Sequence, residues 1–255
     1  MPEISRLILP VAPKHRRHQP AWRPHRNFSY QCTYGEPEYG AVVTKEHLTM
    51  QMESWVGQIE REWQQLRSAD PMLDVEKFFK HVIAANKTGF LSLESLAAIA
   101  NALLTSTLSG APILGRRLLD RVGVNRHPSL RVALAISLVT STGGDPDYTS
   151  GNAILEDVMK DDTADGRLRG IAAAALADSA RIGRGIDADA DLARTLYERA
   201  VDLGHKASAH NLGLYWEGVW GAPSTGATLN RQKAIQMYRR GGDDARCLRR
   251  LQALR

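Results

Sequence analysis

Cysteine is almost missing from this sequence, and its two residues, Cys32 and Cys247, lie far apart. A pair so separated makes no redox CxxC, no zinc cluster and no disulfide framework, so reduced thiols are expected. Aromatic residues are also scarce, at 6% of the chain, while Ala, Leu and Arg are plentiful. A sheet sandwich needs aromatic and β-branched side chains for its pleated faces, and this composition disfavours one. Long apolar runs are absent as well: an uncharged apolar stretch such as Val132 to Ser141 spans about half of the roughly 20 residues a membrane helix needs, so no transmembrane span is expected. No segment alternates apolar and polar residues long enough to read as a strand. What remains is 43% hydrophobic and 24% charged residues in 255, the balance of an ordinary globular, helix-rich chain.

The net charge of +5 sits in one place. Residues 1–28 hold Arg6, Lys14, Arg16, Arg17, Arg23 and Arg26 against Glu3 alone, so everything after residue 28 sums to zero. Arginines, few acids and a short apolar patch (Ile4, Leu7, Ile8, Leu9) make the composition of a mitochondrial targeting segment, whose charge responds to the membrane potential. Arg26, Phe28 and Ser29 fit the matrix-processing pattern, with cleavage after Phe28 and residence in the matrix expected. Glu3, Pro10, Pro13, Pro20 and Pro24 oppose that reading, since the prolines prevent a long amphipathic helix. A basic tail in the cytoplasm, or an RNA-binding arm stacking Trp22, Phe28 and Tyr30 on bases, are the alternatives. Residues 29–43 read as an extended leader.

From Thr44 onward the pattern is helical. Leu48, Met52, Trp55, Val56, Ile59, Trp63 and Leu66 recur at three- and four-residue steps behind a Thr44 cap. Pro71 is expected to open a second helix through Val75, Phe78, Phe79 and Val82, and Ser92 a third running to Gly110. Further helices are expected over Pro112 to Val122, Pro128 to Thr142, Ser150 to Lys160 and Gly166 to Ile182. Helices joined by short links form antiparallel hairpins, either bundled or stacked.

Internal repetition decides between these. Leu176 is followed by Gly183-Arg184-Gly185-Ile186, Asp189, Ala193, Tyr197, Ala200 and Gly204; Leu212-Gly213 is followed by Tyr215-Trp216, Gly218, Asn230, Lys233-Ala234, Tyr238 and Gly241. The Leu pair is 36 residues apart and the Ala and Tyr pairs 41, the difference falling in the Trp220 to Leu229 link. A fainter echo, Ile136, Gly143 and Ala153, precedes Leu176, Gly183 and Ala193 by 40. These residues resemble the Sel-one-like repeat family, a tetratricopeptide-like α-hairpin repeat with a Leu-Gly and aromatic first helix, a Gly-x-Gly loop, and a Lys-Ala and aromatic second helix. The resemblance covers roughly 170–255, and it departs from the family where Gly218 follows Leu212 by six residues instead of seven and where Arg239-Arg240 stand for Ala and Glu. It implies an all-α short solenoid of stacked hairpins, with 44–165 as degenerate hairpins and 166–255 as repeats. It also implies protein-protein interaction, as adaptor or scaffold in the assembly or stability of a complex, rather than catalysis.

Chemistry-bearing patterns are weak by comparison. Asp187, Asp189, Asp191 and Glu198 mimic a calcium loop, but Leu192 stands where the turn needs Gly, and capping of the helix carrying Ala193 and Tyr197 by Asp189 or Asp191 is the simpler role. His205 and His210 are five apart without a third ligand. No nucleophile triad or phosphate loop is evident, so no catalytic, cofactor or metal residue is expected. The C-terminal stretch is different: residues 231–255 hold eight cations and two acids. Arg239, Arg240, Arg246, Arg249 and Arg250, beside the Leu248, Leu251 and Leu254 edge of a capping helix, are expected to dock a partner with an acidic surface. Trp216, Trp220 and the Ala222 to Leu229 loop would add less charged contacts. RNA, in a mitochondrial RNA- or ribosome-associated protein, or anionic lipid is the other ligand that such a basic end fits, and an enzyme with a pocket among the N-terminal helices is the remaining alternative.

Overall fold

The structure, a computed structural model, describes residues 57–122, 127–220 and 230–254. The targeting segment with Arg26, Phe28 and Ser29, the leader, the start of the first helix and the Ala222 to Leu229 loop lie outside the described residues. Every regular element among the described residues is a helix. These residues fall into two compact units that meet in sequence at Val122 and Gly123.

The first unit holds α1 (57–67), α2 (Val75–Lys87), α3 (Leu93–Thr105) and α4 (Ala111–Val122). Pro71 does not open α2. It stands in the preceding turn, and Asp74 caps the helix by accepting from the Lys77 amide at 2.9 Å. Ser92 caps α3, as its place before the apolar run implies. That helix stops at Thr105 rather than Gly110, because Ser106 turns extended and its hydroxyl takes the Leu108 amide. Val75, Phe78, Phe79 and Val82 form the buried face of α2. Gly115 lets α4 lie against α3: a Cβ there would stand 2.9 Å from the Leu104 amide nitrogen.

The second unit holds α5 (Pro128–Thr140), α6 (Tyr148–Lys160), α7 (Gly166–Ile182), α8 (Ala190–Asp202), α9 (Ser208–Trp216), α10 (Arg231–Arg240) and α11 (Ala245–Ala253). The strongest packing pairs α5 with α6, α7 with α8 and α9 with α10, and each hairpin then stacks on the next, α6 on α7 and α8 on α9. The echo at Ile136, Gly143 and Ala153 is a hairpin of the same kind: Gly143 has φ 78° in the α5–α6 link and Gly183 has φ 75° in the α7–α8 link, a left-handed turn that suits glycine. First helices also touch directly, α5 on α7 and α9 on α11. α7 is the centre of the stack. All eleven residues from Gly170 to Ala180 are buried, and six of them are alanine, whose small side chain lets neighbouring helices close in on every side.

The repeat pattern changes at α11. Gly204, Ala209, Leu212 and Gly213 have counterparts 38 residues later in Gly242, Cys247, Arg250 and Leu251. The first two match in role: both glycines have positive φ, and Ala209 and Cys247 are both fully buried. The Leu-Gly pair does not match, and in α9 that Gly is where the Tyr238 ring lies. α11 packs on α9 and α10 without that Leu-Gly pair.

Candidate partner-binding surface

The stack from α7 to α11 is stitched by tyrosines that reach carboxylates on the neighbouring helix. Tyr197 of α8, fully buried, donates its hydroxyl to Asp178 of α7, and Arg181 approaches the same carboxylate at 3.4 Å. Burial raises the Asp178 carboxyl above its ordinary range, and burial together with that carboxylate pushes the Tyr197 phenol well up. Tyr215 of α9 donates to Asp191 of α8 at 3.1 Å, with Arg194 at 4.0 Å. Tyr238 of α10, also fully buried, donates to Glu217 at the end of α9, and Arg250 of α11 grips Glu217 through Nε at 3.2 Å and through Nη2. Each tyrosine hydroxyl is thus matched to an acceptor that an arginine holds, the condition under which buried polar groups stabilise rather than cost.

The sequence brings Tyr197 and Tyr238 to light as equivalent buried positions, and both are buried. Their acid partners leave no echo, because Asp178 lies two residues after Leu176 whereas Glu217 lies five after Leu212.

The sequence-expected site residues take different places. Trp216 is half-buried, edge-on to Tyr215 at 5.2 Å, with the Lys233 ammonium 4.2 Å from its ring centre. Trp220 lies on Tyr215 at 5.1 Å and Tyr197 at 5.7 Å and donates its indole N–H to the Asn211 carbonyl at 3.0 Å. Both rings are packing elements of the stack. The five arginines do not share one free face. Arg240 pairs with Asp202 at 2.7 Å, Arg246 with Asp244 at 3.0 Å, and Arg250 with Glu217. Arg239 and Arg249 are exposed and have no partner among the described residues. Leu251 and Leu254 turn inward against the Tyr238 and Cys247 cluster, leaving Leu248 outward. Of the five arginines, Arg239 and Arg249 alone are left unpaired among the described residues, with Leu248 exposed next to Arg249 in the chain.

Other candidates are absorbed by structure. Asp189 caps α8 by accepting from the Asp191 and Leu192 amides at 2.9 Å each, and Glu198 pairs with Arg194. No group of three metal-ligating side chains stands together among the described residues. His205 has Nδ1 2.8 Å from the Ser208 hydroxyl, and burial, with Arg246 nearby, lowers it to about 4. His210 stands apart, its ring 6.0 Å from Tyr238. Burial pushes the Cys247 thiol up to about 12, which makes it unreactive. Among the described residues no helix is long and apolar enough to cross a membrane.

No family model and no curated protein matches this sequence. Solved structures do. A protective antigen of uropathogenic Escherichia coli displaying the SLR fold superposes with a TM-score of 0.49 at 17% identity, covering 77% of this chain and 40% of the antigen. A Sel1 repeat protein from Oxalobacter formigenes superposes with a TM-score of 0.50 at 18% identity, covering 70% of this chain and 74% of that protein. With its stacked α-hairpins and their Gly-turned links, this chain has the all-α solenoid fold of the Sel1-like repeats.

Proposed function

We propose that this chain is a non-enzymatic helical-repeat scaffold of the mitochondrial matrix that binds another protein, and supports a complex, through the C-terminal end of its array. The observation that carries the reading is the outer face of α11 and the adjoining end of α10. There Arg239 and Arg249 stand exposed without a partner among the described residues, Leu248 next to Arg249 in the chain is exposed too, and Arg240, Arg246 and Arg250 are occupied. A guanidinium beside an apolar side chain suits a protein surface carrying carboxylates, since the fork matches the carboxylate and the aliphatic parts exclude water. Asp189 is spent on a helix cap and Asp178 and Glu217 on tyrosine hydroxyls, which favours binding over catalysis. The matrix location rests on the composition of residues 1–28 and the Arg26, Phe28, Ser29 pattern.

Affinity purification from cross-linked intact cells tests the binding surface. Arg239→Glu with Arg249→Glu is expected to fold as the parent does and to lose the partners that the parent recovers. Recovery of the same partners at parental level would move the binding site elsewhere. N-terminal sequencing of the cellular protein tests the location, with a start near Ser29 expected and a retained Met1 or Pro2 opposing it.

A further inference from the structure

α11 is lightly held. Cys247 alone of its residues is buried, its sulfur filling the space beside Gly241 at the end of α10. The rest of its hold is polar: Asp244 accepts from the Arg246 and Cys247 amides at 2.9 and 3.3 Å, and the Arg246 guanidinium lies back on Asp244 at 3.0 Å. Arg250 is fixed on Glu217, and Arg231 of α10 donates to the Leu254 carbonyl at 2.6 Å. Two histidines stand within charge reach of this helix. His205, in the α8–α9 link, lies against α7, where a Cβ on Gly170 would stand 3.3 Å from its own, and its Nδ1 is 2.8 Å from the hydroxyl of the buried Ser208. His210, in α9, has its ring 6.0 Å from that of Tyr238 of α10, and its buried Nδ1 has no partner among the described residues. Arg246 opposes a charge on both imidazoles, Arg250 opposes one on His210, and Arg167 of α7 opposes one on His205. Asp244 and, for His210, the Asn211 side chain favour the charge, but Asp244 is taken by Arg246 and the cap. Lys206, beside His205 in the chain, is paired with Asp243 at 3.3 Å. Burial and these guanidiniums hold both imidazoles below their ordinary range, His205 at about 4.

We infer that the junction of α9 and α11 is an acid-operated release: charging His205 and His210 against Arg246 and Arg250 frees α11 while the rest of the stack stays folded. The sign follows from linkage. Once α11 leaves, His205 takes up a proton near its ordinary 6.5, whereas with α11 seated it refuses one until about 4. Seating is therefore complete above 6.5 and weakens as pH falls toward 4, and at about pH 4.5 the opening constant is raised about tenfold or more. Opening is confined to α11 because its release uncovers one buried residue, where release of α7 would uncover eleven. The inference rests on the proposed function only in what release does: α11 carries Arg249 and Leu248, so acid dismantles that surface.

Cys247 is the reporter, because a buried thiol reacts only when its cover opens. The full chain carrying Cys32→Ser, which leaves Cys247 as its one thiol, is treated with dithiodipyridine from about pH 7 to about pH 4.5. Each rate is divided by that of the urea-unfolded chain at the same pH. Acid is expected to raise this ratio about tenfold or more while circular dichroism keeps most of its helical signal, and His205→Gln with His210→Gln should flatten the rise. A Cys247 protected at every pH, a rise unchanged in the histidine variant, or a helical signal lost in step with labelling would each overturn the inference. Arg246→Gln removes a charge that opposes both histidines and should move the opening to lower pH. An unmoved profile overturns the inference even where the histidine variant is already open at neutral pH. Labelling needs no partner, so a protected Cys247 leaves the proposed function standing, and unchanged partner recovery by Arg239→Glu with Arg249→Glu leaves the release standing.

Discussion

Replacing Gly213 with alanine should unseat the α9–α10 hairpin, and the structure fixes how much. The added carbon would lie 2.2, 2.3 and 2.6 Å from Cε1, Cζ and Cδ1 of Tyr238. Non-bonded carbons sit comfortably at about 3.5–4.0 Å, so ring and helix must part by roughly 1 Å or more. The ring has nowhere to go: it is fully buried, and its hydroxyl is held by Glu217, itself gripped by Arg250. Overpacking a core costs about 1–3 kcal/mol, and expelling a buried aromatic ring about 3–5 kcal/mol, so the substitution should cost about 3 kcal/mol. Urea unfolding followed by circular dichroism measures it, with tryptophan fluorescence reporting locally through Trp216, which packs in the same cluster as Tyr238. Gly144→Ala is the control, because nothing lies within 4 Å of its added carbon, and it should fall within about 0.5 kcal/mol of the parent. Combining Gly213→Ala with Tyr238→Ala should cost less than the two single changes together. A Gly213→Ala variant as stable as the parent would refute the close approach, and with it the equivalence of this Leu-Gly to a repeat's helix contact.

Three further outcomes follow from single contacts. Tyr197→Phe leaves the Asp178 carboxylate buried without its phenol donor and should cost about 1–3 kcal/mol by urea unfolding. His205 titrates near 4 when folded and near 6.5 when unfolded, so its contribution is present above pH 6.5 and lost as pH falls toward 4, where the unfolded chain takes up a proton that the folded chain refuses. The loss is about 2–3 kcal/mol at most, and His205→Gln should flatten that part of the stability–pH curve. Arg249→Glu should leave the melting temperature nearly unchanged, whereas Arg250→Glu, facing Glu217, should lower it by several degrees.

The limits of α7, Gly166 to Ile182, are legible in the sequence because both end signals are local: Asp165 supplies the cap and Gly183 the left-handed turn. α3 was harder to bound, since Leu108 continues the apolar period past the point where the Ser106 hydroxyl diverts the backbone. α6 starts at Tyr148, two residues before the expected Ser150, because Asp147 caps from further back by accepting from the Ser150 amide at 3.0 Å. The repeat was legible through small residues and tyrosines, whose spacing survives the expanded link. The state of the basic end was not. Arg240 and Arg250 find Asp202 and Glu217 on other helices, 38 and 33 residues away, and a charge count along the chain registers the run without its partners. Only the packing of α8, α9, α10 and α11 against one another separates Arg239 and Arg249 from the rest.

The central claim is that this array binds protein through a surface left free by its own packing. Partner recovery from cells, repeated after nuclease treatment and across a range of salt, tests it most directly. The account predicts that the same protein partners are recovered after nuclease, with moderate salt weakening them only in part. Recovery of RNA in place of protein, with binding lost by orders of magnitude between low and moderate salt, is the signature of phosphate contacts and would contradict it.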